Sequence, residues 1–226
     1  MKSKQTPIDI ASYIEHTNVD PKARRQHIRR LCEEATEYGF RAVVVAPQWA
    51  LFARETLDRL QGPRKHRVLV GDVHNFPGLP AWTADSLADF HDIFAPCPNI
   101  HKNVALQNQF KVYLLQLAEK LKGPRRIIIE TPMLENKDIV KMSKICRANG
   151  ITVKSNSGRW PKRRSNKDIL KLIKRGAKPW YRRKKNHTEI KISGGVKTYG
   201  DVEAMVELGA DYIGTSNGLA IMGMEL

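Results

Sequence analysis

Short β-branched runs alternate with helical segments along the whole chain, and this alternation limits the folds open to it. Six runs are predicted as buried strands, and two weaker candidates bring the total to eight. They are Tyr13–Thr17, Arg41–Ala46, Arg67–Val70, Phe90–Ala95, Arg126–Glu130, Ile151–Lys154, Glu189–Ser193 and Asp211–Gly214, of which the first and fourth are the weaker two. Strands that alternate with helices are typical of a parallel sheet with helices outside. Eight of them predict an α/β fold, a (β/α)8 TIM barrel, as a single domain over residues 1–226.

Apolar residues at helical spacing lie between most of these strands. The predicted helices start after Asp20-Pro21 and cover the segments Leu106–Leu121, Ile139–Cys146, Ser165–Gly176 and Val202–Gly209. Proline is favoured at the first helical position, so Asp20 is predicted as an N-cap. Ser165 with Asp168 resembles a capping box, and Gly176 is predicted to stop that helix.

Composition excludes several classes of protein. Hydrophobic residues make up 41% of the 226 residues, enough for a sizeable core, and no apolar stretch is long enough to span a membrane. The three scattered cysteines, Cys32, Cys97 and Cys146, favour free thiols in the cytoplasm. The seven histidines include no His-x-x-x-His pair, so we expect no metal site. His74, before Asn75-Phe76-Pro77, is predicted as a loop histidine.

The formal net charge of +16 is concentrated in three basic runs, Arg24–Arg30, Lys162–Arg164 and Arg182–Lys185. One interpretation is weak binding of nucleic acid through phosphate neutralisation. The other, which we favour, is a solvated basic surface that attracts anionic metabolites to an active site. No recognised nucleic-acid-binding motif surrounds these runs.

Two lysines, Lys154 and Lys191, each end a predicted strand. Strand alternation places Ile190 and Ile192 on one face and Lys191 on the other, so the lysine is expected to point into the barrel. The alternative is a strand-end lysine whose amine reaches solvent. Two amines inside one barrel lower each other's pKa, and a neutral lysine is a nucleophile for carbonyl carbon. The pair therefore points to a Schiff-base enzyme.

Two glycine-rich segments follow the last two predicted strands. Ser193-Gly194-Gly195 comes after the seventh strand, and Gly214–Gly218 comes after the eighth. Barrel enzymes often bind phosphate with the loops after these strands. We therefore expect a phosphorylated substrate.

Read in order, a series of short motifs resembles the deoxyribose-phosphate aldolases, class I aldolases on a TIM barrel. The motifs are Ile14–Thr17, Ala42–Pro47, Asn75–Pro77, Ile127–Thr131, Val153–Gly158, Lys191–Thr198 and Ile213–Gly218, and the match spans about residues 8–221. The resemblance implies reversible cleavage of 2-deoxy-D-ribose 5-phosphate to D-glyceraldehyde 3-phosphate and acetaldehyde, without a metal or organic cofactor.

The resemblance also implies roles for individual residues. Lys154 matches the Schiff-base lysine, Lys191 matches the second lysine that lowers its pKa, and Asp92 matches the aspartate of a proton relay, with Asp89 as the alternative. The positions that match the phosphate site are Gly194, Gly195, Ser216 and Asn217, with Arg159 where the family often has a lysine.

Several positions depart from the family pattern. The stretch from Pro77 to Asp92 is short, which predicts a shortened third βα unit, and little chain follows Gly218, which predicts a short C-terminal end. Glu15 and Asn156 replace an aspartate and a threonine. Two alternatives stay open: a related Schiff-base aldolase for another aldehyde, and an inactive barrel that binds nucleic acid through its basic runs. A small phosphorylated sugar is the expected partner, with no membrane; a homodimer is also considered.

Overall fold

The computed structural model describes residues 8–61, 67–77, 86–161, 163–178 and 188–224. Eight parallel strands close into a barrel in chain order, which confirms the predicted α/β barrel. They are β1 (Ile14–Asn18), β2 (Ala42–Val45), β3 (Leu69–His74), β4 (Phe90–Phe94), β5 (Arg125–Ile128), β6 (Thr152–Lys154), β7 (Ile190–Ser193) and β8 (Tyr212–Thr215). β3 is longer than predicted, so His74 ends a strand and is not a loop histidine.

The α-helices surround the barrel. They are α1 (Arg25–Glu37), α2 (Ala50–Gln61), α3 (Val104–Lys120), α4 (Asn136–Ala148), α5 (Asn166–Ala177), α6 (Tyr199–Glu207) and α7 (Gly218–Ile221). Among the described residues, none of these helices has the length and apolar character needed to cross a membrane.

Two predicted helix boundaries are wrong for identifiable reasons. Asp20 does not cap α1, because its carboxylate accepts a hydrogen bond from the backbone N–H of Lys22 (2.8 Å) in a turn before the helix. Gly176 does not stop α5 but lies within it, where an added Cβ would be 2.6 Å from the Cβ of Ser143 in α4. This glycine therefore allows two helices to pack closely.

Strand alternation separates the inside of the barrel from its outer wall. Val153, Ile190 and Ile192 belong to the large core between strands and helices. A second, smaller cluster fills the interior and includes Val44 and Phe90. The predicted inward direction of Lys154 and Lys191 is therefore confirmed.

The third βα unit is shortened, as predicted. Residues 75–89 connect β3 to β4, and the described parts of this connection, 75–77 and 86–89, contain no helix. β3 and β4 pair directly, with Gly71 opposite Phe90. An added Cβ at Gly71 would be 2.1 Å from the ring of Phe90, which occupies the space beside it.

The basic runs differ in what the structure describes of them. Arg182–Lys185 and Lys162 lie outside the described residues. Arg164 donates hydrogen bonds to the carbonyl oxygens of Thr131 (3.2 Å) and Leu134 (3.0 Å). Its guanidinium thus joins the segments that follow β5 and β6, which is a structural role.

Candidate active site

Two lysines meet on one carboxylate inside the barrel. The Nζ atoms of Lys154 in β6 and Lys191 in β7 each lie 2.7 Å from Oδ2 of Asp92 in β4. The two lysines are direct neighbours in the register of β6 and β7. Asp92 and Lys191 are fully buried, whereas Lys154 keeps 5% of its surface exposed. The structure therefore brings the three predicted catalytic residues together, with Lys154 nearest to solvent.

A second layer of charge lies beneath these three residues. Nζ of Lys191 is 2.5 Å from Oε2 of Glu15, and Nη1 of Arg126 is 2.7 Å from both oxygens of the same carboxylate. The Arg126 guanidinium lies 3.7 Å from the centroid of the Phe90 ring. Lys191 is thus held between two carboxylates, while Lys154 contacts only one of them. Buried charges of this kind are tolerated because each has an opposite partner.

The environment favours a neutral amine at Lys154. Burial lowers the pKa of Lys154 to about 8, and the charge of Lys191 adds to this effect while the Asp92 carboxylate opposes it. For Asp92, burial alone would raise the pKa, but the cations Lys154, Lys191 and Arg126 hold it well below its usual range. The site therefore offers a titratable amine beside a carboxylate that is ionised in the resting enzyme.

A cavity of about 1010 Å³ opens at the carboxyl ends of the strands, and Lys154 lies at its floor. Pockets of this size suit small metabolites. The predicted phosphate-site residues Gly194, Gly195, Ser216 and Asn217 also line this cavity. The arrangement places the amine of Lys154 and two glycine-containing loops around one space.

The loop after β7 needs glycine at position 194 for two reasons. The φ angle of Gly194 is +81°, a conformation that favours glycine, and an added Cβ would be 2.0 Å from Oδ1 of Asn156. The hydroxyl of Thr215 donates to the carbonyl oxygen of Val196 (2.9 Å), which ties the loops after β7 and β8 together.

Arg159 lies apart from the other predicted phosphate-site residues. Its exposed guanidinium donates to the carbonyl oxygen of Pro77 (2.7 Å) and lies 5.7 Å from the ring centroids of both Phe76 and Trp160. It is not among the described residues that line the cavity, whereas Lys197 is. The predicted contact between Arg159 and phosphate stays a prediction.

Sequence reasoning did not assign a role to several residues of this site. Arg126 is a charged residue at an inward position of a strand, so the alternation argument used for the lysines would have found it. Glu130 is buried with φ at 55°, and its carboxylate accepts a hydrogen bond from the backbone N–H of Ser157 (2.9 Å). Burial raises the pKa of Glu130. Nε2 of His16, which lines the cavity, lies 2.8 Å from Oε2 of Glu34.

Comparison with known proteins gives the family. No protein-family model matches the chain. A deoxyribose-phosphate aldolase from Methanocella arvoryzae is 34% identical, covering 95% of this chain and 94% of that protein. One from Thermococcus gammatolerans is 32% identical, covering 95% and 96%. The fold is similar to that of a tetrameric deoxyribose phosphate aldolase from Aeropyrum pernix, at 24% identity and a TM-score of 0.72, covering 95% of this chain and 89% of that one. The chain belongs to the deoxyribose-phosphate aldolase family.

Proposed function

We propose that this chain is a class I aldolase that reversibly cleaves 2-deoxy-D-ribose 5-phosphate to D-glyceraldehyde 3-phosphate and acetaldehyde. The observation that carries the proposal is the shared carboxylate: Nζ of Lys154 and Nζ of Lys191 both lie 2.7 Å from Oδ2 of Asp92, and Lys154 lines a large cavity. The close sequence relatives named deoxyribose-phosphate aldolase support the same reaction.

Imine formation starts with neutral Lys154. Its Nζ attacks C1 of the open-chain sugar and gives a carbinolamine, which loses water to form a protonated imine. A pKa of about 8 leaves a useful neutral fraction of this amine near neutral pH. Lys191, whose Nζ contacts two carboxylates, supplies the fixed positive charge beside it.

Carbon–carbon cleavage uses the protonated imine as an electron sink. The C3 hydroxyl loses its proton, the C2–C3 bond breaks, and glyceraldehyde 3-phosphate leaves while an enamine forms on Lys154. Protonation of the enamine at C2 and attack by water then release acetaldehyde. Asp92 and Lys191, together with a water molecule, move these protons, because the Asp92 carboxylate is within hydrogen-bond distance of both amines.

The substrate phosphate is assigned to the loops after β7 and β8, which line the same cavity as Lys154. Backbone N–H groups in glycine-rich turns form concave sites for anions, and Gly194 and Gly195 both have positive φ angles. Ser216 and Asn217 follow β8 and line the same cavity. Arg30 and Lys197 at its rim would raise the local concentration of anionic substrate.

Borohydride reduction with acetaldehyde tests the proposal. Reduction should fix a two-carbon fragment on the nucleophilic lysine, and mass mapping of a digest should locate it on Lys154. Excess 2-deoxy-D-ribose 5-phosphate should lower the incorporation of isotopically labelled acetaldehyde, because the two-carbon fragment that it leaves on Lys154 carries no isotope. A label on Lys191, or no label on either lysine, would contradict the assigned roles.

Asp92→Asn should lower kcat by about 10²–10³-fold, because the carboxylate that contacts both amines becomes a neutral amide. Reduction with acetaldehyde should still label Lys154, more slowly than in the wild type. Steady-state kinetics and the rate of labelling measure the two effects separately.

Asp89→Asn is the matched control for this prediction. The Asp89 carboxylate accepts hydrogen bonds from the backbone N–H of Val70 (2.8 Å) and from Arg54, which involve none of the proposed catalytic residues. Its kcat should stay within a few-fold of the wild type. The reverse ranking of the two variants would move the proton relay to Asp89.

Particular residues bear on the two alternative functions. The shortened third βα unit and Glu15 support a related aldolase for another aldehyde, which a panel of aldehydes in the labelling reaction would identify. The role of Arg164 in joining two loops weakens the nucleic-acid alternative, which salt-dependent oligonucleotide binding would test.

We further infer a cytoplasmic location and a homodimer. Free thiols at Cys32, Cys97 and Cys146 support the first. The second is supported by large apolar side chains exposed on α3, such as Val112 and Leu115. Light scattering measures the assembly state.

A further inference from the structure

A buried polar cluster lies on the outer wall of the barrel. Asp72 and His74 on β3 and His91 on β4 are all at most 2% exposed, and Asp72 is opposite His91 in the strand register. The same strands carry Val70 and Ile93 on this outer side, both in the large apolar core. Elsewhere this core fills the space between strands and helices. The polar cluster is thus a local exception, beside the connection whose described residues contain no helix.

The three side chains converge on one point. Nε2 of His74 lies 2.9 Å, and Nδ1 of His91 lies 2.7 Å, from the same Oδ1 of Asp72. All three atoms lie within 4.8 Å of one another. The second oxygen of Asp72 accepts a hydrogen bond from the hydroxyl of Ser86.

The contact of Nε2 of His91 determines which ring nitrogen carries a hydrogen. Nε2 lies 2.8 Å from the carbonyl oxygen of Lys122, which can only accept, so Nε2 carries a hydrogen. In a neutral ring the lone pair of Nδ1 would then face the Asp72 carboxylate, which is repulsive. A cation, either a proton or a metal ion, must therefore lie between them. Metal-binding histidines usually donate their other ring N–H to a carbonyl or carboxylate in this way.

We propose that Asp72, His74 and His91 bind a divalent transition-metal ion, with zinc as the best fit to two imidazoles and one carboxylate. Ligands at about 2.0–2.1 Å from zinc are about 3.3 Å apart in a tetrahedral site, so each ring nitrogen would move about half an ångström away from Oδ1 of Asp72. The ion would link β3 to β4, in whose connection the described residues, 75–77 and 86–89, contain no helix. Its role is structural, because these side chains face away from the interior, into which Asp92 points.

The proposal replaces the expectation of no metal site. That expectation rested on helical His-x-x-x-His spacing. On a strand, side chains two positions apart share one face, so Asp72-x-His74 presents two ligands together. The third ligand, His91, comes from the neighbouring strand, and only the fold brings it close.

Metal content and thermal stability test the proposal. The purified chain is stripped with a chelator, incubated with zinc chloride and desalted, and its zinc content and Tm are measured. We expect about one zinc per chain and a rise in Tm of at least about 5 °C over the stripped protein. Zinc retention at the level of adventitious binding, with no change in Tm, would overturn the proposal and leave a protonated His–Asp pair.

Substitutions assign the metal to this cluster. His74→Gln and His91→Asn place an amide near each ligand nitrogen, so the hydrogen bond to Asp72 can persist while the metal ligand is lost. Both variants should lose the bound zinc and the zinc-dependent rise in Tm. Undiminished zinc binding in both would place the ion elsewhere and overturn the assignment.

His101→Asn is the matched control. Nδ1 of His101 lies 2.6 Å from Oδ1 of Asp138, so this site resembles the proposed metal site but has one histidine instead of two. This variant should keep the zinc.

Ring nitrogen chemical shifts of His74 and His91 in the wild type give a readout that needs no variant. Shifts typical of metal ligation support the proposal, and those of protonated nitrogen contradict it.

Discussion

Replacing Lys154 by leucine should lower aldolase turnover by about 10⁴-fold or more, because the proposed imine nitrogen is lost. Among the described residues, the other amine in contact with Asp92 is that of Lys191, which is fully buried between two carboxylates, whereas Lys154 lines the cavity. The variant should also lose the borohydride-dependent label. A coupled assay of glyceraldehyde 3-phosphate release measures the loss.

The fold and the phosphate site should survive this substitution. Leucine is apolar and suits a position that is 5% exposed, and Asp92 keeps Lys191 as a charged partner. Lys178→Met is the matched control, since Nζ of Lys178 pairs with Asp211 on the outside of the barrel and should not affect kcat. If Lys154→Leu keeps turnover within tenfold of the wild type, Lys154 is not the nucleophile.

The main features of the barrel could be predicted from the sequence because strand patterns are local. Ile190 and Ile192 flank Lys191, and alternation alone indicates which of the three points inward. The same argument orients Lys154 and would have included Arg126. These residues come close together only because the sheet closes into a barrel. The count of eight predicted strands was sufficient to predict that closure.

Three features could not be predicted in this way, because a competing local turn or a contact between distant segments decides them. Asp20-Pro21 has the composition of a helix start, but a turn uses its carboxylate before α1 begins. Gly176 has the composition of a helix stop, but its lack of a side chain serves contact with α4. Arg159 lies in the segment that follows Lys154, yet its guanidinium lies near the rings of Phe76 and Trp160, and it is not among the described residues that line the cavity.

The outer-wall cluster shows the same limit more strongly. His74 precedes a turn-like Asn75-Phe76-Pro77 segment, which favoured a loop, but it ends β3 and is fully buried. Asp72, His74 and His91 are visible in the sequence as polar residues within otherwise apolar strands. That they form one cluster became clear only from the pairing of β3 with β4.

Lys191→Leu should lower kcat/KM at pH 7 by about 10³-fold, partly by changing the protonation of Lys154 and partly by removing a group of the proposed proton relay. Burial lowers the pKa of Lys154 to about 8, and the positive charge of Lys191 contributes to that lowering while Asp92 opposes it. Without Lys191, the Asp92 carboxylate acts on Lys154 alone and favours its ammonium form. The pKa of Lys154 therefore rises, and each unit of increase reduces the neutral fraction about tenfold.

The pH profile separates this effect from a structural one. In the wild type, kcat/KM should rise with pH and level off above about 8, as Lys154 loses its proton. In Lys191→Leu the rising limb should move to higher pH, so part of the lost activity returns under alkaline conditions. The Lys191→Leu variant should fold, because Glu15 keeps its contacts with Arg126. The double variant Lys191→Leu/Glu15→Gln also removes the carboxylate charge that Lys191 would otherwise neutralise. A loss of activity that is equal at every pH, in a folded variant, would mean that Lys191 does not act on the pKa of Lys154.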